Sequence, residues 1–130
     1  MVQTHSQQLD MHRILYTELG RGLRSFVTQL KAAGQLNRVL LLTFSDFGRQ
    51  VAENRDGGTD HGDASVVFAV GGGIRPGLLG EAADLGRVHD GGLQPNMDFR
   101  QIYANVLGDW LKVDPTAILG ERIDRFNLLA

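Results

Sequence analysis

The spacing of apolar residues predicts two helices. Between residues 9 and 30 they recur at intervals of three and four, which predicts a long helix over 9–33 with one buried face. A second periodic segment follows Asp98, which is placed to cap a helix over 98–111. The apolar positions of the first helix are Leu9, Leu15, Leu19, Leu23, Phe26, Val27 and Leu30. Those of the second are Phe99, Ile102, Tyr103, Val106, Leu107, Trp110 and Leu111.

Two short apolar runs predict strands at 38–44 and 65–70. Neither run alternates with polar residues, which is typical of strands covered on both faces, as in parallel sheets. The expected fold class is therefore α/β, with a small, mainly parallel sheet flanked by the two helices. A short strand or hairpin is expected around Ile74–Leu79, and the segment from Ile118 to Leu128 is expected to pack back on the core.

Composition narrows the classes of function. The chain has 130 residues, no cysteine, and 13 basic against 15 acidic side chains. Zinc fingers, thiol nucleophiles and disulfide scaffolds are excluded, and the charge shows no basic footprint for nucleic acid. No apolar stretch approaches the ~18 residues that a membrane span needs. We expect one domain over residues 1–130 that neither binds nucleic acid nor spans a membrane.

Most chemically capable side chains lie in the polar, glycine-rich segment between the predicted strands, residues 45–63. In an open α/β sheet, ligands bind outside the carboxyl ends of strands, which is where this segment would lie. Asp46 lies two residues beyond the first predicted strand, so it could ligate a metal, act in catalysis, or cap the turn that follows.

The string GGTDHG at residues 57–62 places Asp60 beside His61, with glycines on both sides. Imidazole and carboxylate are common metal ligands, and glycines allow a sharp turn around a cation. An Asp-oriented histidine could instead be a general base, or the segment could be an Asx-turn loop with an exposed histidine.

The other candidates are less specific. His5, before the first helix, is typical of a capping or exposed residue, and exposed or structural roles are also favoured for His12 and His89. Arg49 and Arg55 could bind an anion, or could be solvated or pair with nearby carboxylates. There is no G-x-S-x-G, P-loop or H-E-x-x-H motif.

The order of these pieces resembles the C-terminal part of the domain of unknown function 1501 family, bacterial proteins placed near the sulfatase and alkaline phosphatase superfamily. Four strings carry the resemblance, and they cover nearly the whole chain. They are VLLLTFSDFGRQVAEN at 39–54, GGTDHG at 57–62, VFAVGGG at 67–73 and DFRQIYANVLGDWL at 98–111.

The resemblance implies a partial alkaline phosphatase-like fold and a share of a site for two divalent cations, such as zinc, manganese or calcium. It implies that Asp46 belongs to one metal and His61 to the other, with Asp60 as an orienting or bridging neighbour and His5 as a second histidine of the His61 metal. The chain departs from the family pattern at Gln3, where the family has aspartate, and at Phe47, which replaces a histidine.

The resemblance also implies a function and a context. The chain is expected to be the C-terminal segment of a larger metal-dependent phosphate or sulfate ester hydrolase-like domain, and to be inactive alone because the nucleophile comes from the N-terminal half. The parent proteins are commonly exported, to the periplasm or beyond. The alternative is a non-catalytic binding or assembly module that keeps the fold without metals. Under both, exposed apolar surface is expected to cause self-association.

Overall fold

The computed structural model describes residues 4–130, so Gln3 lies outside the described residues. The chain divides into two units: residues 4–72 with 83–94, and residues 73–82 with 95–130. The architecture is mixed α/β, with three α-helices and three two-stranded antiparallel sheets among the described residues. None of those helices is both long and apolar enough to cross a membrane.

The first unit contains one long helix, α1, at Gln8–Ala32. Its start has no side-chain cap; instead the backbone N–H groups of Gln7 and Gln8 donate to the carbonyls of Asp56 (3.0 Å) and Gly57 (2.9 Å). Those loop carbonyls satisfy donors that a helix N-terminus leaves without intrahelical partners. The predicted bounds of 9–33 are confirmed within one residue, but the predicted buried face is wrong, because no residue of α1 is fully buried.

The strands of the first unit are short. They are β1 at Leu40–Leu42, β2 at Gly48–Arg49, β3 at His61–Gly62, β4 at Ala69–Gly71, β5 at Val88–His89 and β6 at Gly92–Leu93. A 3₁₀ turn at Leu36–Arg38 leads into β1. The sheets pair β1 with β4, β2 with β3 and β5 with β6.

The expected parallel sheet is wrong. β1 and β4 run antiparallel, with Leu40 opposite Gly71 and Leu42 opposite Ala69. Both strands are only partly buried, so their continuous apolar runs do not reflect cover on both faces. The hairpin expected around Ile74–Leu79 forms instead from β5 and β6, while Ile74 makes an isolated bridge to Leu129.

The second unit has α2 at Phe99–Asn105, continued by one π-helical turn at Val106–Trp110, and α3 at Pro115–Leu119. Asp98 caps α2 as predicted, accepting a hydrogen bond from the Arg100 backbone N–H. Leu111, assigned to the helix and its apolar face, lies after the π turn and is 55% exposed. The π turn holds one more residue than an α turn, which rotates later side chains off that face.

The core of the second unit lies around α2. Ile102, Ala104 and Leu128 are buried, and the buried side chain of Asn105 donates to Asp109 (2.6 Å) and accepts from the Leu128 backbone N–H (3.3 Å). The prediction that the segment from Ile118 to Leu128 packs back on a core is confirmed at Leu128, whereas Ile118 is 60% exposed.

Candidate functional site

The candidate site lies in the first unit, where β2 and β3 bring two ring side chains together. Arg49 is paired with His61, which places Phe47, just before β2, beside the His61 imidazole. The two rings stack with centroids 3.7 Å apart and planes 6° from parallel. A Cβ at Gly48 would overlap the Ala64 backbone, so glycine is required for this close approach. Phe47 therefore covers one face of the His61 ring.

His5 reaches the same place from the segment that precedes α1. Its Nε2 lies 3.1 Å from Nε2 of His61, and the two rings stack with centroids 4.8 Å apart. The His5 backbone packs against Gly58, where a Cβ would overlap the His5 carbonyl. The absence of a side chain at Gly58 thus lets two segments far apart in sequence contact each other.

Asp60 completes a line of three side chains. Its Oδ1 lies 3.4 Å from Nδ1 of His5, on the ring edge opposite His61. Nδ1 of His5 therefore faces the Asp60 carboxylate, while its Nε2 faces His61. His5, Asp60 and His61, three of the predicted site residues, are therefore close together.

Asn54 organises this cluster, and sequence reasoning missed it. Its Nδ2 donates to the His5 backbone carbonyl (3.0 Å) and to Oδ1 of Asp60 (3.3 Å). Its Oδ1 accepts from the backbone N–H groups of Asp56 and Gly58, each at 3.0 Å. The string NRDGG is a turn signal, and an Asx turn was the feature from which Asn54 could have been found.

Asp46, the fourth predicted metal ligand, does not join the cluster. It is exposed, and none of the hydrogen bonds or ion pairs within residues 4–130 includes its side chain. The capping role considered for Asp46 belongs to its neighbour Ser45, whose Oγ accepts from the Phe47 backbone N–H (3.4 Å).

Arg49, the predicted anion-binding residue, is engaged within the loop. Its Nη1 donates to the Thr59 carbonyl (2.8 Å), and its guanidinium lies 5.2 Å from the Phe47 ring centroid.

The positive charge of Arg49 also affects the pKa of His12, whose imidazole hydrogen-bonds Thr4 Oγ1 at 2.8 Å. Desolvation by burial and then the Arg49 charge lower the pKa of His12, so the neutral imidazole is favoured there.

The side chains in this cluster determine whether it could hold a metal ion. Within residues 4–130, no three histidine, cysteine or acidic side chains converge on one point as metal ligands. The His5 and His61 pair offers two nitrogens, while Asp60 contacts the far edge of His5. Thr59, which directly precedes Asp60 in sequence, has a buried Oγ1 with no hydrogen-bond partner among the described residues. The described residues therefore offer two imidazole nitrogens close together and no third donor beside them.

A comparison with protein families assigns the chain. The model of the family described as "Protein of unknown function (DUF1501)" matches residues 3–122, so the chain belongs to that family. No curated protein and no solved structure matches the chain.

Proposed function

We propose that this chain contributes part of a divalent-metal site in which His5 and His61 are ligands through Nε2. The observation that carries the proposal is the 3.1 Å separation of those two nitrogens. Two nitrogens bound tetrahedrally to zinc at 2.0–2.1 Å would be about 3.3 Å apart, so the observed separation is close to that of two ligands of one ion.

The carboxylate of Asp60 supports the same proposal. Ligating histidines usually donate their other ring N–H to a carboxylate or carbonyl, which fixes the tautomer and raises the basicity of the ligand. Asp60 lies at that position on His5. Phe47 stacks on His61 and restricts the rotation of its ring.

The two histidines leave further coordination positions, which fits a site shared with other groups. On this proposal the chain is the C-terminal segment of a sulfatase or alkaline phosphatase-like domain, and Asp46 serves a second cation. A bound metal would polarise a phosphate or sulfate ester. His5 and His61 would hold it, Asp60 would orient His5, and Arg49 would stay near the anionic ester. The isolated chain is expected to be inactive.

Calorimetric titration with zinc tests the metal proposal. Zinc binding should be much weaker but still measurable in His5→Ala and in His61→Ala, and unchanged in the control His89→Ala, because the exposed His89 imidazole lies beside Asp90 (3.4 Å) and outside the cluster. Manganese and calcium should bind more weakly than zinc, since two imidazoles suit zinc better. No binding, or equal binding in all four proteins, would refute the proposal.

Turnover assays test the expected inactivity. The purified chain, supplied with zinc or manganese, should not hydrolyse aryl phosphates or aryl sulfates. Metal-dependent turnover that His61→Ala abolishes would show that the chain carries a complete site and would overturn this part of the proposal.

The second candidate function is a binding or assembly module without metals, and α1 favours it. Leu9 is 85% exposed, and Ile14, Tyr16 and Phe26 are also exposed, on a helix with no fully buried residue. Apolar surface of this kind commonly marks an interface.

Sedimentation equilibrium tests self-association through α1. The average mass should rise with concentration, and the double substitution of Leu9 and Ile14 by Gln should return it to that of the monomer. Leu78→Gln, at a fully exposed position of the second unit, is the control and should change nothing. A monomer at all concentrations would exclude self-association.

A further inference from the structure

The side-chain amide of Asn54 contacts both parts of the candidate site. It donates to the His5 backbone carbonyl at 3.0 Å and to Oδ1 of Asp60 at 3.3 Å. His5 precedes α1, whereas Asp60 belongs to the loop before β3. One planar NH₂ group, with two donors fixed in geometry, therefore links two segments that are distant in sequence.

The other end of the same amide shapes the loop. Oδ1 of Asn54 accepts from the backbone N–H groups of Asp56 and Gly58, and the Asn54 backbone N–H donates to the Gly58 carbonyl (2.8 Å). Gly58 is the residue against which the His5 backbone packs. The oxygen of the amide thus fixes the loop against which His5 packs, and the nitrogen hydrogen-bonds His5 and Asp60.

From these contacts we infer that Asn54 is a positioning residue that sets the separation of the His5 and His61 imidazoles. It acts through His5 and Asp60, and it contacts neither Nε2 atom. Loss of its NH₂ group frees the His5 backbone and removes one hydrogen bond from the Asp60 carboxylate. The inference rests on the proposed function only where it concerns metal affinity, because the positions of the rings can be measured without metal.

The metal-free test uses NMR. In the wild-type chain, nuclear Overhauser contacts are expected between the ring protons of His5 and His61, whose centroids are 4.8 Å apart. They should be lost in Asn54→Ala and kept in Asn96→Ala, which removes a similar side-chain amide that donates to the Glu81 carbonyl in the second unit. Contacts that persist in Asn54→Ala would overturn the inference.

Asn54→Asp separates positioning from folding. The carboxylate keeps an acceptor for the N–H groups of Asp56 and Gly58 but has no donor for His5 or Asp60. The new carboxylate oxygen would face the His5 carbonyl and the Asp60 carboxylate and repel both, so the contacts between the two histidine rings should disappear while far-ultraviolet circular dichroism shows that α1 is retained. Contacts retained in Asn54→Asp would show that the loop alone positions His5, and would overturn the inference even if Asn54→Ala fails to fold.

The metal arm is a double-mutant cycle with zinc. Loss of a group that orients a ligand typically weakens metal binding by roughly 10-fold to 100-fold, which is the effect expected of Asn54→Ala. In the His5→Ala background, the same change should weaken the remaining binding no more than about threefold, because residues that act together are not additive. Equal losses in both backgrounds would indicate a general loop effect and refute positioning through His5. A wild-type chain that binds no zinc would refute the proposed function, while the NMR test would still decide the role of Asn54.

Discussion

Gly58→Ala should separate the segment before α1 from the loop that carries Asp60. A Cβ at this position would overlap the His5 carbonyl and lie 2.9 Å from the Ser6 nitrogen. Both neighbours are backbone atoms, so no flexible side chain can move aside. Overpacking of this kind costs about 1–3 kcal/mol. Displacing His5 also removes its hydrogen bond from Asn54, which adds roughly 0.5–1.5 kcal/mol.

The expected total is thus about 1.5–4.5 kcal/mol, measured by urea denaturation followed by far-ultraviolet circular dichroism. Hydrogen exchange locates the loss, because the amide protons of Gln7 and Gln8 donate to carbonyls of the same loop and should lose protection. Gly20→Ala is the matched control. No atom lies within 4 Å of its added Cβ, so it should stabilise α1 by about 1 kcal/mol. If Gly58→Ala changes the free energy of unfolding by less than about 0.5 kcal/mol and preserves both amides, the close-approach argument is refuted.

Three further outcomes are expected. Ile102→Ala should cost about 2–5 kcal/mol in urea unfolding, since the side chain is only 5% exposed; a cost near zero would mean that this core collapses around the gap. Asp98→Ala should cost about 1 kcal/mol by removing the cap of α2. The pKa of Asp98 is lowered chiefly by the side-chain hydrogen bond from Arg100. The ionised Asp98 therefore stabilises the fold above its unfolded pKa of about 3.9, and this contribution is lost as pH falls through the lower pKa of the folded state. Stability that depends on pH in the same way in Asp98→Ala as in the wild type would contradict this reasoning. An NMR titration should find the His12 pKa below about 6.5, and Arg49→Gln should raise it; no movement would show that desolvation alone lowers it.

Local signals in the sequence predicted the helices better than the sheet. The bounds of α1 and the cap at Asp98 follow from periodicity and from a side chain that serves its own backbone. The direction of strand pairing does not. The apolar runs at β1 and β4 indicate which side chains are withdrawn from water. The direction in which the two strands pair depends instead on how the segment between them leads back to β1. The π turn at Val106–Trp110 has no periodic signal and displaces Leu111.

The candidate site was predictable only in part. Histidine and carboxylate side chains can be recognised in a sequence as possible ligands, and the family resemblance placed His5 with His61 although they are far apart in the chain. Asn54 carries no such chemistry, because its role depends on two contacts that form only after the loop has folded. Phe47 was seen as a departure from the family pattern, but its stacking on His61 follows from strand register, which the sequence did not supply.

The antiparallel pairing of β1 and β4 makes residues 43–68 one excursion that leaves the ribbon and returns to it at the same end. The excursion carries Asp46, Phe47, Asn54, Asp60 and His61. The entropy of closing such a loop grows only logarithmically with its length, and doubling it costs about 0.6 kcal/mol. Insertions at the exposed residues 51–53 would therefore enlarge the loop while leaving the β1–β4 register unchanged. The length of this excursion can therefore change at little cost to the pairing of β1 with β4.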